Sequence, residues 1–316
     1  MKNKKHSICI ISAFYNEEHN LRKLINNFDM LRLKLIKLGY IPKLLLVNDG
    51  SHDNSKIIVK EIIKSKKYIK LINLKKNYGQ QIAIHTALKK EKMDFYGVLD
   101  SDCQQNPNYF IQMISCLNSK EVDLVQMKKK YGNYEGEIKK YFSRYFYYIF
   151  SIITKIDIKQ GSSDFYLFTL KVRNKIIKSN FSKLFLRGFI HFLGYKKYYI
   201  DYTPLKRKKG KSKYTLFKQI DFALTAIYLY AKKYFLGMFV ILLFINYKFI
   251  ALLIDKDLFL NLNNIEISQL EFLYLLFGTI SLLVSSRLIY FFIQIHKKIN
   301  ITTKIKYERS HDQSKK

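Results

Sequence analysis

Apolar residues in the first hundred positions follow two alternating spacings. Short apolar runs at 7–12, 43–48, 69–74 and 95–100 have the length of buried strands. Between them, 18–38, 53–65 and 79–89 place apolar residues every three or four positions, as in Leu21, Leu24, Ile25, Phe28 and Leu31, which predicts helices. Strand and helix alternating at these lengths predict parallel βαβ units, hence an α/β domain whose twisted sheet carries helices on both faces. In such a fold the carboxyl ends of the strands converge on one ligand crevice.

The pattern changes after residue 211. From 212 to 233, Leu216, Phe217, Ile220, Ala223, Leu224, Ile227 and Tyr230 fall at helical spacing, with Lys213, Lys218, Asp221 and Lys232 elsewhere on the wheel. This predicts an amphipathic helix at a membrane interface. Residues 234–254 are almost wholly apolar apart from Asn246 and Lys248, and 272–295 carry one charge, Arg287. At about 1.5 Å per residue each is long enough to cross roughly 30 Å of hydrocarbon, so a two-helix transmembrane hairpin is expected over 234–295. The segment 255–269 holds one basic and three acidic residues, whereas the tail, 296–316, is basic, with seven basic and two acidic residues in 297–316. That asymmetry predicts both termini on the cytoplasmic side of the membrane.

Charge and cysteine content narrow the picture. The 316 residues carry 56 Lys and Arg against 24 Asp and Glu, a formal charge of +32, which suits phosphate-bearing partners or an anionic membrane surface. A nucleic-acid partner is not expected, because the sequence shows none of the helix or sheet reading elements such proteins use. Cys9, Cys103 and Cys116 have neither pairing nor metal-ligand spacing and read as reduced thiols. The apolar run at 8–14 is too short for a signal peptide and meets Glu17 and Glu18 at once.

Polar sequence stands at all four predicted strand ends, and the last of these holds the most specific chemistry. Asp100 and Asp102 lie two residues apart where the strand at 95–100 runs out. Side chains at i and i+2 of an extended segment point the same way, so this pair can hold one hard divalent cation between the protein and a diphosphate. Hard oxygen ligands favour Mg²⁺ or Mn²⁺ over zinc, for which no His or Cys cluster exists.

The four loops read AFYNEEHN (13–20), VNDGSHDNS (47–55), NYGQQIA (77–83) and DSDCQQNP (100–107), and in this order they resemble the catalytic domain of glycosyltransferase family 2. Downstream, KQGSSDFYL (159–167), LRG (186–188) followed by LGY (193–195), and RKKGKSKY (207–214) resemble segments of the family's polyprenyl-phosphate branch, which includes bacterial glucosyl and aminoarabinosyl transferases and dolichyl-phosphate mannose synthase. Three positions depart from the pattern: Ala13 replaces a proline, Tyr166 an arginine, and lysines 128–130 stand where an arginine is usual.

The resemblance implies a GT-A nucleotide-sugar domain with a Rossmann-like sheet over 1–211. It implies that Ala13, Tyr15, Glu17, Asp49, Asn77 and Asp100 line the nucleotide site and that Asp100, Asp102 and Gln104 hold the metal. Lys129, Arg144, Arg187, Arg207 and Lys213 would meet an acceptor phosphate, with Asp102, Asp164 and Arg207 closest to the chemistry. The implied reaction is inverting transfer from a nucleotide-sugar, a UDP-hexose by preference, to undecaprenyl phosphate, for cell-surface glycan synthesis, by a homo-oligomer. The alternative within the family is transfer to a glycan acceptor. A processive polysaccharide synthase is disfavoured, since the chain has no tryptophan for its QxxRW motif.

Overall fold

A computed structural model describes residues 5–130, 144, 148, 150–152, 154, 156, 158–178, 186–205, 232–255, 276–290 and 293–294. The chain divides into two compact units, Met1–Lys213 and Tyr214–Lys316.

The first unit begins as the alternation predicts. Strands β1 (His6–Phe14), β2 (Tyr40–Asn48), β3 (Ile69–Asn73) and β4 (Phe95–Val98) alternate with helices α1 (Glu18–Lys37), α2 (Ser55–Ile63) and α3 (Gln80–Lys90). They are followed by α4 (Tyr109–Ser119), β5 (Leu124–Lys129), β6 (Ser162–Thr169), α5 (Leu170–Lys178), α6 (Leu186–Phe192) and β7 (Lys197–Tyr202). The seven strands form one sheet in the order β3-β2-β1-β4-β6-β5-β7. β1 pairs in parallel with β2 and β4, and β2 with β3. The expectation of parallel units, made for these four strands, holds, and the later strands add an antiparallel element. β6 inserts antiparallel between β4 and β5, and β5 pairs in parallel with β7, so the sheet is mixed.

The sheet is packed on both faces. Ile8 and Ile10 of β1 join Leu21, Leu24, Ile25 and Phe28 of α1, Val59 of α2, and Phe110 and Met113 of α4 in one apolar cluster. Ala83, Ile84, Ala87 and Leu88 of α3 and Val172 and Ile176 of α5 are buried outside that cluster, which agrees with the contacts of α3 with β1, β2 and α5. Burial on two faces accounts for strands that read as continuous apolar runs rather than alternating ones.

In the second unit, α7 (Lys232–Asp255) packs against a second helix, α8 (276–290). Asn246 Nδ2 donates to Ser285 Oγ at 2.7 Å, and Gly278 faces the Phe249 ring so closely that a Cβ there would lie 2.1 Å from it. Residue 246 meets 285 and 249 meets 278, so the helices run antiparallel, as a hairpin requires. Polar Asn246, Ser281 and Ser285 are buried, while Phe244, Tyr247, Phe277 and Leu283 are each more than 60% exposed. Among the described residues no helix is long and apolar enough to cross a membrane. The expected span at 234–254 lies within α7 and that at 272–295 is described only in part, while the expected amphipathic helix at 212–233, apart from its last two residues, and the basic tail, 296–316, lie outside the described residues.

Gly97 sits in β4 where a Cβ would stand 2.5 Å from Phe110 Cε1 and 2.7 Å from Ile10 Cδ1, both fully buried. Gly97→Ala should overpack this layer and lower the stability of the first unit by about 1–3 kcal/mol, read as a reduced urea midpoint.

Candidate functional site

The carboxyl ends of β1, β2, β3 and β4 lie along one edge of the sheet, and the loops leaving them are laced together. The Asp49 amide donates to the Phe14 carbonyl at 2.9 Å, and the Asn16 amide to Ser51 Oγ at 3.0 Å. The amides of Glu17 and Glu18 donate to Ser55 Oγ and Asp53 Oδ2, while Asn54 donates back to Glu18 Oε2. Asn16 reaches this geometry with φ 53 and receives the His52 amide on Oδ1 at 2.9 Å. The half-buried Tyr15 ring meets His52 edge-on at 6.2 Å, and Ala13 is buried at the end of β1. Glu17 Oε2 accepts from Asn20 Nδ2 at 2.6 Å, so this carboxylate secures the first turn of α1.

Asp49 is 3% exposed, and its two oxygens accept the backbone amides of Tyr78 and Gly79, each at 2.8 Å. Burial pushes its carboxyl above the ordinary carboxylate range, and the two amides act in the opposite sense. Asp49 therefore positions the β3–α3 loop besides standing in the crevice. The same loop passes so near Gly50 (φ +72) that a Cβ there would lie 2.4 Å from the Lys76 carbonyl carbon, which no side chain tolerates. Asn77 is exposed on this loop.

Asp100 follows β4, and two side-chain amides hold its carboxylate. Oδ1 accepts from Gln80 Nε2 at 2.7 Å and Oδ2 from Gln105 Nε2 at 2.6 Å, while the Asp100 amide donates to Gln105 Oε1 at 2.9 Å. Asp102 and Gln104 are half-buried, and Asp102 Oδ1 accepts the Gln104 amide at 3.1 Å. Carboxylate and amide oxygens from Asp100, Asp102 and Gln104 are of the hard type that fits a divalent cation. Among the described residues there is no group of three or more His, Cys, Asp or Glu side chains that could hold a metal ion. Sequence reasoning chose Gln104 and passed over Gln105 and Gln80, the two residues that grip Asp100. Their only sequence signal was membership of the QQ pairs in the third and fourth motifs.

Asp164 stands on β6, and Gln81 Nε2 donates to its Oδ2 at 3.2 Å. Gln81 Oε1 accepts the amide of Leu186, the first residue of α6, at 3.0 Å. At the other end of α6, His191 Nε2 meets Gln126 Oε1 at 2.8 Å, and Gln126 Nε2 donates to the Ser163 carbonyl at 2.9 Å. Asp164 and the LRG segment are thus brought together by side chains that were not singled out. Lys129 is half-buried at the end of β5, its amide donating to the Gly161 carbonyl at 2.8 Å. Arg144 is exposed, and Arg187 lies on α6 with its side chain outside the described residues. Arg207 and Lys213 lie outside the described residues, but the Leu205 amide donates to the Gln104 carbonyl at 2.8 Å, so β7 leads back to the Asp102 loop. Tyr166, at the arginine position of the family segment, is fully buried beside Phe168.

Gln105→Leu removes both of its bonds to Asp100. Affinity for a nucleoside diphosphate with Mn²⁺ should fall about tenfold or more, the 1.4 kcal/mol scale of one net hydrogen bond to a charged group, as measured by calorimetric titration. Burial pushes the thiols of Cys9 and Cys103 up to about 12 and about 11. Both should therefore resist iodoacetamide at pH 8 in the native protein and react in urea, as followed by peptide mass spectrometry.

Residues 9–181 match Glycosyl transferase family 2. An uncharacterised glycosyltransferase of Bacillus subtilis, YkcC, is 31% identical over 229 residues, 71% of this chain and 68% of that protein. A prophage bactoprenol glucosyl transferase homologue of Escherichia coli is 24% identical over 223 residues, 70% of this chain and 71% of that protein. The mannosyltransferase PcManGT of Pyrobaculum calidifontis, solved with GDP-Man and Mn²⁺, shares the fold with a TM-score of 0.50 at 14% identity, over 71% of this chain and 64% of its own. Glucosyl-3-phosphoglycerate synthase of Mycobacterium tuberculosis, solved with Mn²⁺, UDP and glucosyl-3-phosphoglycerate, does so with a TM-score of 0.50 at 13% identity, over 72% and 80%. The architecture is GT-A-like, and with all four crevice loops inside a match that spans more than half its length, the chain belongs to glycosyl transferase family 2 and is a glycosyltransferase.

Proposed function

We propose that this enzyme transfers a hexose from a UDP-sugar to a polyprenyl phosphate at the cytoplasmic face of a membrane, inverting the anomeric centre. The observation that carries the acceptor is the inverted polarity of the second unit. In the α7–α8 pair the polar side chains of Asn246, Ser281 and Ser285 face inward and large apolar ones face outward, the arrangement a helix pair takes in lipid. Similarity to bactoprenol glucosyl transferases supports the same acceptor class. Solved neighbours of the fold that hold Mn²⁺ support a divalent cation.

Each group then has a task. Tyr15, His52 and Asp49 would border the nucleoside, and Asp100, Asp102 and Gln104 would hold the cation. When bound, the cation supplies a Lewis acid that stabilises the departing nucleoside diphosphate. A phosphate monoester is anionic near neutral pH, so its oxygen attacks the anomeric carbon without first losing a proton to a side chain. One carbon–oxygen bond forms to the lipid phosphate as the bond to the nucleoside diphosphate breaks. Rate enhancement then comes from positioning and charge neutralisation, the work assigned to Lys129, Arg144, Arg187, Arg207 and Lys213, with Asp164 on the acceptor side.

Membranes containing the enzyme, given labelled UDP- and GDP-sugars with undecaprenyl phosphate, should yield labelled lipid from a UDP-hexose. Asp102→Ala should lower that yield at least a thousandfold while the protein stays folded and membrane-bound. Label appearing only in glycan, or full activity in the variant, would overturn the reading.

A further inference from the structure

Adjacent glutamines on the first turn of α3 reach the two carboxylates that the proposed reaction assigns to opposite substrates. Gln80 Nε2 is 2.7 Å from Asp100 on the donor side, and Gln81 Nε2 is 3.2 Å from Asp164 on the acceptor side. The Gln81 head also accepts the Leu186 amide at 3.0 Å, so one side chain joins segments 83 and 105 residues away. The platform beneath is firm, because Ala83, Ile84, Ala87 and Leu88 of α3 are fully buried and Gly79, just before it, is held by Asp49. The remaining links close a ring: α6 returns through His191 and Gln126 to the carbonyl of Ser163, the residue before Asp164.

We propose that Gln81 is a positioning residue that fixes Asp164 and the start of α6 relative to the donor loop, and so sets the geometry of the acceptor phosphate site. The position calls for one head group that donates and accepts at once without titrating, and at this reach only a side-chain amide does so. The inference rests on the polyprenyl-phosphate reading for its substrate, and on the hydrogen-bond ring for its geometry.

Two variants of the full-length protein separate the parts of this role. Gln81→Leu removes both bonds. Gln81→Glu keeps an acceptor for Leu186 but sets a second carboxylate against Asp164, and a proton shared by that pair at lower pH restores the lost donor. At pH 8 both variants should raise KM for undecaprenyl phosphate at least fivefold, with KM for the nucleotide-sugar within twofold of wild type. At pH 6, relative to wild type at that pH, Gln81→Glu should recover most of the loss and Gln81→Leu none. Hydrogen exchange should show the start of α6 deprotected in Gln81→Leu and protected in Gln81→Glu. Wild-type KM and protection in Gln81→Leu, or a Gln81→Glu defect that is the same at both pH values, would overturn the proposal; if Gln81→Leu does not fold, the pH response of Gln81→Glu decides. A wild-type enzyme that labels no lipid from any donor would instead refute the acceptor assignment, and exchange at α6 would then decide the role of Gln81.

Discussion

Parallel pairing of the first four strands is the constraint on which the site depends. Because β3, β2, β1 and β4 all run the same way, every crossover returns to the opposite edge and every carboxyl end opens onto the same one. Four loops far apart in sequence therefore meet without any of them being long. Their mutual hydrogen bonds, from the Asp49 amide to Phe14 and from the Glu17 amide to Ser55, join neighbouring strand ends and turn an edge into a surface of fixed shape. The antiparallel insertion of β6 does something different. It starts at the same edge and runs away from it, which leaves Asp164 near that edge, beside a β-bulge between Gln126 and Lys128 in its partner strand.

What the sequence disclosed and what it concealed follow from this arrangement. Strands buried on both faces and helices with one apolar stripe have local periodicity, so the first three βα units could be read directly. The paired aspartates could be read because their chemistry requires a fixed short spacing. Gln80, Gln81, Gln105, Gln126 and His191 could not, since each acts on a partner chosen by the tertiary fold, in most cases from 20 to 105 residues away. The mixed sheet was hidden for the same reason: β6 takes the edge of β4 that β1 leaves free, and its antiparallel sense there is set by long-range pairing rather than by local pattern. Tyr166 shows a third case, in which a residue compared with a functional arginine fills the core of a strand instead.

The second unit reverses the usual relation between polarity and depth. A soluble helix pair buries its large apolar residues, whereas here Gly278, Ser281 and Ser285 form the inner stripe and let the backbones approach. The Asn246–Ser285 bond then fixes the sliding of one helix along the other, since moving by a turn would leave both groups facing apolar neighbours. Lys248 and Arg287 turn toward the rings of Phe244 and Tyr290, which gives each cation an aromatic face on its own helix.

The pair of side-chain amides on Asp100 has a bearing on how this very basic chain behaves in different solutions. A carboxylate gripped by lysine or arginine would be held by a field that dissolved ions weaken, and a surplus of 32 positive charges makes most of the surface subject to such screening. Gln80 and Gln105 carry no charge and no titrating proton, so these two hydrogen bonds to Asp100 are weakened less by dissolved ions than an ion pair would be. Two of the contacts that hold this carboxylate thus lie outside the salt sensitivity that the charge of the chain imposes on much of its surface.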